Sequence, residues 1–313
     1  KVSSVVCFDG FTHGTTTFIS RNNQVYSFGK QRKGELGHTE HSVCTPKLIP
    51  SLINILQIDC GYEHIVCVDT DGSVFSFGGN SVGQLGVCED VRLLNSTHIP
   101  QKVDIPPCKQ ISCGRNFTIC VSIEGEIYSF GDNYQGNLGL GNIMSCNLPH
   151  KIDSLKNVDF VTSGFYHTIC KTDNNEIFVW GRNEEGELGI ENSISQTVPF
   201  KCDIWPNHVV DIKCGCFHTL VLTENGDLFS CGSNEDAQLG RLIDGKFSSS
   251  LQKIGDIPEI SRIECGHYHS MCIDINGNLL FFGGNSCGQF GLGDTDKRDI
   301  LVQHPSLSNI IDI

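Results

Sequence analysis

Five histidines stand at one recurring place in this sequence: His13, His64, His167, His218 and His269 each follow a glycine by three residues, and Phe117 fills the sixth such position. Imidazole ligates metals and titrates near neutrality, so a ring of imidazoles is a candidate metal or proton-relay site. The spacing argues against it. Each histidine belongs to a separate copy of a repeat, whose symmetry holds the rings apart, and a site needing every ligand would not accept the phenyl ring of Phe117. The histidines are expected to anchor backbone after a glycine turn. The seventeen cysteines are odd in number and form no Cys-x-x-Cys pair. Cys60, Cys113, Cys214 and Cys265 share one repeat position, and Cys67, Cys120, Cys170 and Cys272 share another inside apolar runs. They read as small buried hydrophobes in a reducing compartment, since a zinc site would need four ligands to converge tetrahedrally. No metal and no cofactor is expected. A nucleophile, base and orienting group do not occur together outside the repeat pattern, so no bond-making enzyme is expected either.

What positions these side chains is a repeat. Gly10, Gly61, Gly114, Gly164, Gly215 and Gly266 follow one another at 51, 53, 50, 51 and 51 residues. A second row, Gly29, Gly78, Gly131, Gly181, Gly232 and Gly283, keeps nearly the same interval. A third closes each unit with Gly-x-Leu-Gly, as in Gly83-Gln84-Leu85-Gly86, varied to Ala237-Gln238-Leu239-Gly240 and Gly288-Gln289-Phe290-Gly291. These segments are not phosphate loops, because no lysine and helix start follow them.

Each unit reads as four short strands. Ile55 to Cys60 and Ile65 to Val68 flank a glycine turn. Asp71-Gly72, Glu124-Gly125, Asn174-Asn175, Asn225-Gly226 and Asn276-Gly277 sit where positive φ is needed and predict two-residue hairpin turns. The third strand, such as Val74 to Phe77, ends in an aromatic expected to pack between neighbouring sheets. A fourth strand is expected to start at Pro46, Pro100, Pro149 and Pro199, where an edge position needs no amide donor. The fold class expected is all-β: a β-propeller of four-stranded antiparallel blades, filling residues 1–313 as one domain of six repeats. Six blades closed by pairing the termini, through Asn309 to Ile313, is preferred; seven blades with one outside this chain is the rival. The first residue, Lys1, is not methionine, which suggests flanking segments.

At 313 residues, 39% hydrophobic and 19% charged, the chain is a folded, turn-rich protein. Its 22 basic against 36 acidic side chains leave a net charge of −14, which repels phosphate and gives no reason to expect direct nucleic-acid binding. No apolar stretch suits membrane insertion and residues 1 to 30 lack a secretory signal, so a cytoplasmic or nuclear location is expected, and a monomer.

Gly-x-x-His, an aromatic strand ending in glycine, an asparagine shortly after and Gly-x-Leu-Gly recur in that order, as in Cys60-Gly61-Tyr62-Glu63-His64, Val74-Phe75-Ser76-Phe77-Gly78-Gly79-Asn80 and Gly83-Gln84-Leu85-Gly86. Over essentially the whole chain this pattern resembles the regulator of chromosome condensation repeat family. The resemblance implies a β-propeller, most often of seven blades. It also implies a protein-interaction role: guanine-nucleotide exchange on a small GTPase, or alternatively a non-exchanging scaffold or targeting domain of a larger ubiquitin ligase or trafficking factor. Fold alone does not choose between them.

Recurrence serves the scaffold, so a binding site is sought where the repeat is broken. Gly86 to Pro100 spans 14 residues, against 9 for Gly37 to Pro46 and 10 for Gly139 to Pro149. The extra residues place Glu89, Asp90, Arg92, Leu93 and Leu94 in a projecting loop, and these five are the candidate partner-binding residues. Arg241, Lys246, Lys297 and Arg298 are basic groups near a rim, available in principle to an acidic partner.

Overall fold

The structure is a computed structural model that describes the backbone of residues 2–10 and 13–313 and the side chains from Gly14 onward. The side chain of His13 lies outside the described residues. Six four-stranded antiparallel sheets, each drawn from one continuous stretch of chain in the order first, second, third, fourth strand, make the fold all-β. They are the blade pattern of a β-propeller, and no helix occurs among the described residues. We number the blades one to six. Blade two is representative, with strands Ile55–Cys60, His64–Asp69, Val74–Gly79 and Ser96–Lys102.

Three expectations need correction. Val2–Gly10 supplies the first strand of blade one, whereas Asn309 to Ile313 forms no strand, so no described sheet joins strands from the two ends of the chain. The prolines do not begin the fourth strands. Pro46, Pro100, Pro149 and Pro199 sit inside Ser42–Leu48, Ser96–Lys102, Cys146–Lys151 and Gln196–Lys201, at the register shifts where the fourth strand leaves the third. A bulge leaves one residue unpaired, and a residue without an amide hydrogen loses nothing there. The hairpins, finally, are not two-residue turns with both residues left-handed. Only the second residue has positive φ: 79° at Gly72, 75° at Gly125, 61° at Asn175, 74° at Gly226 and 76° at Gly277. With Asp69 N donating to Ser73 O, the connection is a three-residue turn closed by one left-handed residue.

By its internal contacts the chain divides into two compact units: Lys1–Val161 with Cys170–Asp173 and Thr197–Pro199, and Thr162–Ile169 with Asn174–Gln196 and Phe200–Ile313. In the first unit Ile19 and Val25 of blade one pack with Ile58, Cys67 and Phe77 of blade two, and Val66, Val68 and Val74 pack with Ile111 and Phe130 of blade three. In the second, Leu220 and Leu228 of blade five pack with Ile263, Cys272 and Phe282 of blade six. The third-strand aromatics therefore do fill the space between sheets, Phe130 lying against Gly86 and Phe282 against Gly240. Side-chain amides clamp adjacent first strands: Gln57 Nε2 donates to Ile111 O at 2.9 Å while Ile111 N donates back to Gln57 Oε1 at 3.0 Å. Gln110 does the same with Val161.

The other landmarks behave as the sequence predicts. Asn80 Oδ1 accepts from Leu85 N at 3.0 Å, Asn133 Oδ1 from Leu138 N at 2.9 Å and Asn183 Oδ1 from Leu188 N at 2.9 Å, with Gln31 doing the same work for Leu36. The loop so formed drives Leu36, Leu85, Leu138, Leu188 and Leu239 into the core. Cys67, Cys120, Cys170 and Cys272 are buried as well, and burial pushes the Cys67 and Cys272 thiols up.

Candidate protein-interaction face

Three of the recurring histidines are seen to be structural. His64, His167 and His218 are fully buried, and each Nε2 meets a hydroxyl of the following blade: Thr118 Oγ1 at 3.1 Å, Thr219 Oγ1 at 3.2 Å and Ser270 Oγ at 3.0 Å. Each hydroxyl donates its own proton to a carbonyl of the preceding blade, Gln84 O, Glu187 O and Gln238 O respectively. That commits the hydroxyl proton and makes Nε2 the donor, which fixes the tautomer. A charged ring would need a second proton in a dry setting, so burial lowers all three pKa values to about 3. Phe117 replaces the latch by packing its ring against Gly114.

In blades two, four, five and six the Gly-x-x-His turn and the loop between third and fourth strands lie at the same end, because the first and third strands run the same way. Gly79 N donates to Glu63 O, Arg182 N to Tyr166 O and Gly284 N to Tyr268 O at 2.6, 2.9 and 2.8 Å. Variable side chains from both segments thus share one blade end, opposite the hairpins.

In blade two that end carries the candidate loop. Ser96–Ile99 belong to the fourth strand, so the insertion proper is residues 87–95. Leu93 N donates to Asp90 O at 2.9 Å and Arg92 N to Asp90 Oδ1 at 3.0 Å, closing a turn. The Arg92 guanidinium grips the Asp90 carboxylate through Nε and Nη2 at 2.9 and 2.7 Å and holds the carboxyl below its usual range. Asn80 ties the loop's far end through Leu94 O at 2.8 Å, and Asn147 of blade three ties Glu89 O at 2.7 Å. The five candidates are therefore brought together. Leu93 is 81% exposed, Glu89 and Arg92 project, and Leu94 is half-buried. The rim basics are engaged at home instead: Arg241 with Ser230, Lys246 with Glu235, Lys297 with Asp299 and Arg298 with Asp294.

A second constellation, in the other unit, escaped the sequence reading. The residue before the recurring histidine is Tyr166 in blade four, Phe217 in blade five and Tyr268 in blade six, all half-buried. Their rings form a row, Tyr166 to Phe217 at 6.3 Å and 28°, Phe217 to Tyr268 at 6.4 Å and 38°. Phe165 backs the row edge-on to Phe217 at 6.1 Å and to His267 at 4.9 Å. Arg182 lies over Phe217, its guanidinium carbon 4.7 Å from the ring centroid, and pairs with Glu187 and, at 3.0 Å each, with Glu184 and Glu185. Glu187 is buried, which raises its carboxyl pKa. For Arg182 burial works against the charge, but the Glu187 and Glu185 carboxylates outweigh it and raise the pKa. Burial, with Asp236 and Glu185 nearby, pushes the Tyr268 hydroxyl up to about 12. The signal was present in the sequence: Arg182 and Glu187 stand where blade two has Gly79 and Gln84 and blade three has Asp132 and Asn137.

The sequence profile of the regulator of chromosome condensation (RCC1) repeat matches residues 22–68, 71–121, 124–170, 174–222 and 225–273. The chain belongs to the RCC1 repeat family. Each matched RCC1 repeat runs from the third strand of one blade, or the turn before it, to the second strand of the next, so the sequence unit straddles two sheets. Among curated relatives, the ultraviolet-B receptor UVR8 of Arabidopsis thaliana is 30% identical over 309 residues, covering 96% of this chain and 69% of that protein. The X-linked retinitis pigmentosa GTPase regulator of Homo sapiens is 34% identical over 286 residues, covering 88% of this chain but 28% of that protein. The crystal structure of Prp20p from Saccharomyces cerevisiae, reported with its binding to Gsp1p and histones, superposes with a TM-score of 0.83 over 92% of this chain and 74% of that one at 22% identity. At that identity the likeness shows the propeller fold alone.

Proposed function

We propose that this RCC1 propeller binds protein partners and regulates a small GTPase by guanine-nucleotide exchange, without bond-making chemistry of its own. The observation that carries the reading is the insertion at residues 87–95: a turn closed by the Asp90–Arg92 fork and tied at both ends, which offers an apolar tip, Leu93, beside the charges of Glu89 and Arg92. A preformed protrusion loses little entropy on docking, and an exchange factor works by binding the nucleotide-free state better than the loaded one. The names of relatives support the same direction, one a GTPase regulator and one a propeller studied with Gsp1p. A second reading is favoured by one fact, that the chain spans 28% of the human GTPase regulator. In that reading the propeller is a scaffold or targeting domain of a longer protein.

Fluorescent-nucleotide release from a panel of purified small GTPases tests exchange. Release of one member should accelerate on adding the propeller, and replacing Glu89, Asp90 and Arg92 together by alanine should remove most of the effect while far-ultraviolet circular dichroism stays unchanged. No acceleration across the panel would leave the scaffold reading.

A further inference from the structure

We propose that the ring row Tyr166, Phe217 and Tyr268 is a docking track for an extended, arginine-bearing peptide segment of a partner protein. Three observations lead there, none of which depends on the exchange reading. The first is chemical. The row already holds a guanidinium, Arg182, at 4.7 Å over Phe217, which is the geometry in which a ring's negative face attracts a cation.

The second is charge. Glu184 and Glu185 border the row through Arg182, and Asp236 is near enough to Tyr268 to raise its hydroxyl pKa, the two side chains flanking the place a Cβ on Gly284 would take. Glu184 is 61% exposed in its side chain, so its carboxylate is open to an incoming cation. The Arg182 guanidinium on the row is neutralised by three carboxylates. An aromatic row can also stack nucleic-acid bases, but these carboxylates repel phosphate and favour a cationic polypeptide.

The third is spacing. Successive centroids are 6.3 and 6.4 Å apart. Alternate side chains of an extended strand, which point to the same side, are about 6.6 Å apart. The track therefore matches arginines at alternate positions, one per ring, with backbone rise doing the registering. The match arises because the residue before the recurring histidine is aromatic in three consecutive blades. In blades two and three the same position is Glu63 and Asn116.

Fluorescence anisotropy with labelled peptides of about ten residues tests this on the 313-residue chain. A peptide with three arginines at alternate positions should bind roughly tenfold tighter than a permutation of the same composition with the arginines three residues apart. Tyr166→Leu with Tyr268→Leu should erase the difference, whereas Tyr166→Phe with Tyr268→Phe should keep it. Glu184→Gln with Asp236→Asn should weaken both peptides. Equal binding of the two permutations, or discrimination unchanged by the leucine variants, would overturn the track. So would tighter binding of a single-stranded oligoribonucleotide than of either peptide.

Discussion

His64, His167 and His218 are each sealed between two blades as neutral donors, and this gives the protein a pH response. Their pKa values fall from 6.5 to about 3 on folding. Between those limits the unfolded chain binds protons that the folded chain refuses, so stability is complete above about pH 6.5 and is lost as the pH falls toward 3. Each histidine contributes up to about 1.4 kcal/mol per pH unit within that window. Urea midpoints measured from pH 7.5 to 5.0 should fall, and His218→Gln, which keeps an N–H for Ser270, should lower the slope by close to one proton. An identical slope would mean that the ring is protonated in the fold. The surface ion pairs contribute less. Lys246–Glu235 and Lys253–Asp227 have side chains more than a third exposed, where water and salt screen the attraction, so they add little to stability.

At the scale of the element, the Gly-x-Leu-Gly loop asks for left-handed backbone at its first position. Gly186 has φ 77°, and a Cβ there would lie 2.3 Å from the Ser249 Cα. Gly186→Ala should cost roughly 2 kcal/mol or more in thermal or urea unfolding, combining the strain of a left-handed alanine with the displacement of a neighbouring strand. Ala237 occupies the equivalent place at φ 65° and already bears that strain. Ala237→Gly should therefore stabilise by up to about 1 kcal/mol, once the added freedom of the unfolded chain is subtracted. Needs of this kind are what made the blades legible in the sequence. A left-handed residue demands glycine or asparagine, a buried loop amide demands the side-chain oxygen of Asn80 or its equivalents, and both recur from blade to blade. The outer strands were read less well, because a proline marks a bulge as readily as a strand start. The candidate loop was visible as a length difference, but its Asp90–Arg92 fork was not. The ring row was missed since Tyr166, Phe217 and Tyr268 are 51 residues apart in sequence and meet only through the rotation from blade to blade.

For the whole molecule, repetition and its interruptions divide the labour. Glycine turns, histidine latches and glutamine clamps recur, and together they hold adjacent sheets within each unit. The insertion at 87–95 and the aromatic positions of blades four to six do not recur, and there the surface acquires particular chemistry. With a net charge of −14, association with a basic partner surface should slow markedly between low and physiological salt. Exchange on a GTPase is the sharpest functional reading, and it rests on preference for one nucleotide state. The decisive quantity is the affinity of the propeller for a responsive GTPase in its nucleotide-free form relative to its GDP-loaded form, measured by surface plasmon resonance. Exchange requires the nucleotide-free form to bind at least about a hundredfold tighter, close to 2.7 kcal/mol, with the ratio collapsing when Glu89, Asp90 and Arg92 are replaced by alanine. Equal affinities for the two forms would show a propeller that holds its partner without moving its nucleotide, and the exchange reading would be wrong.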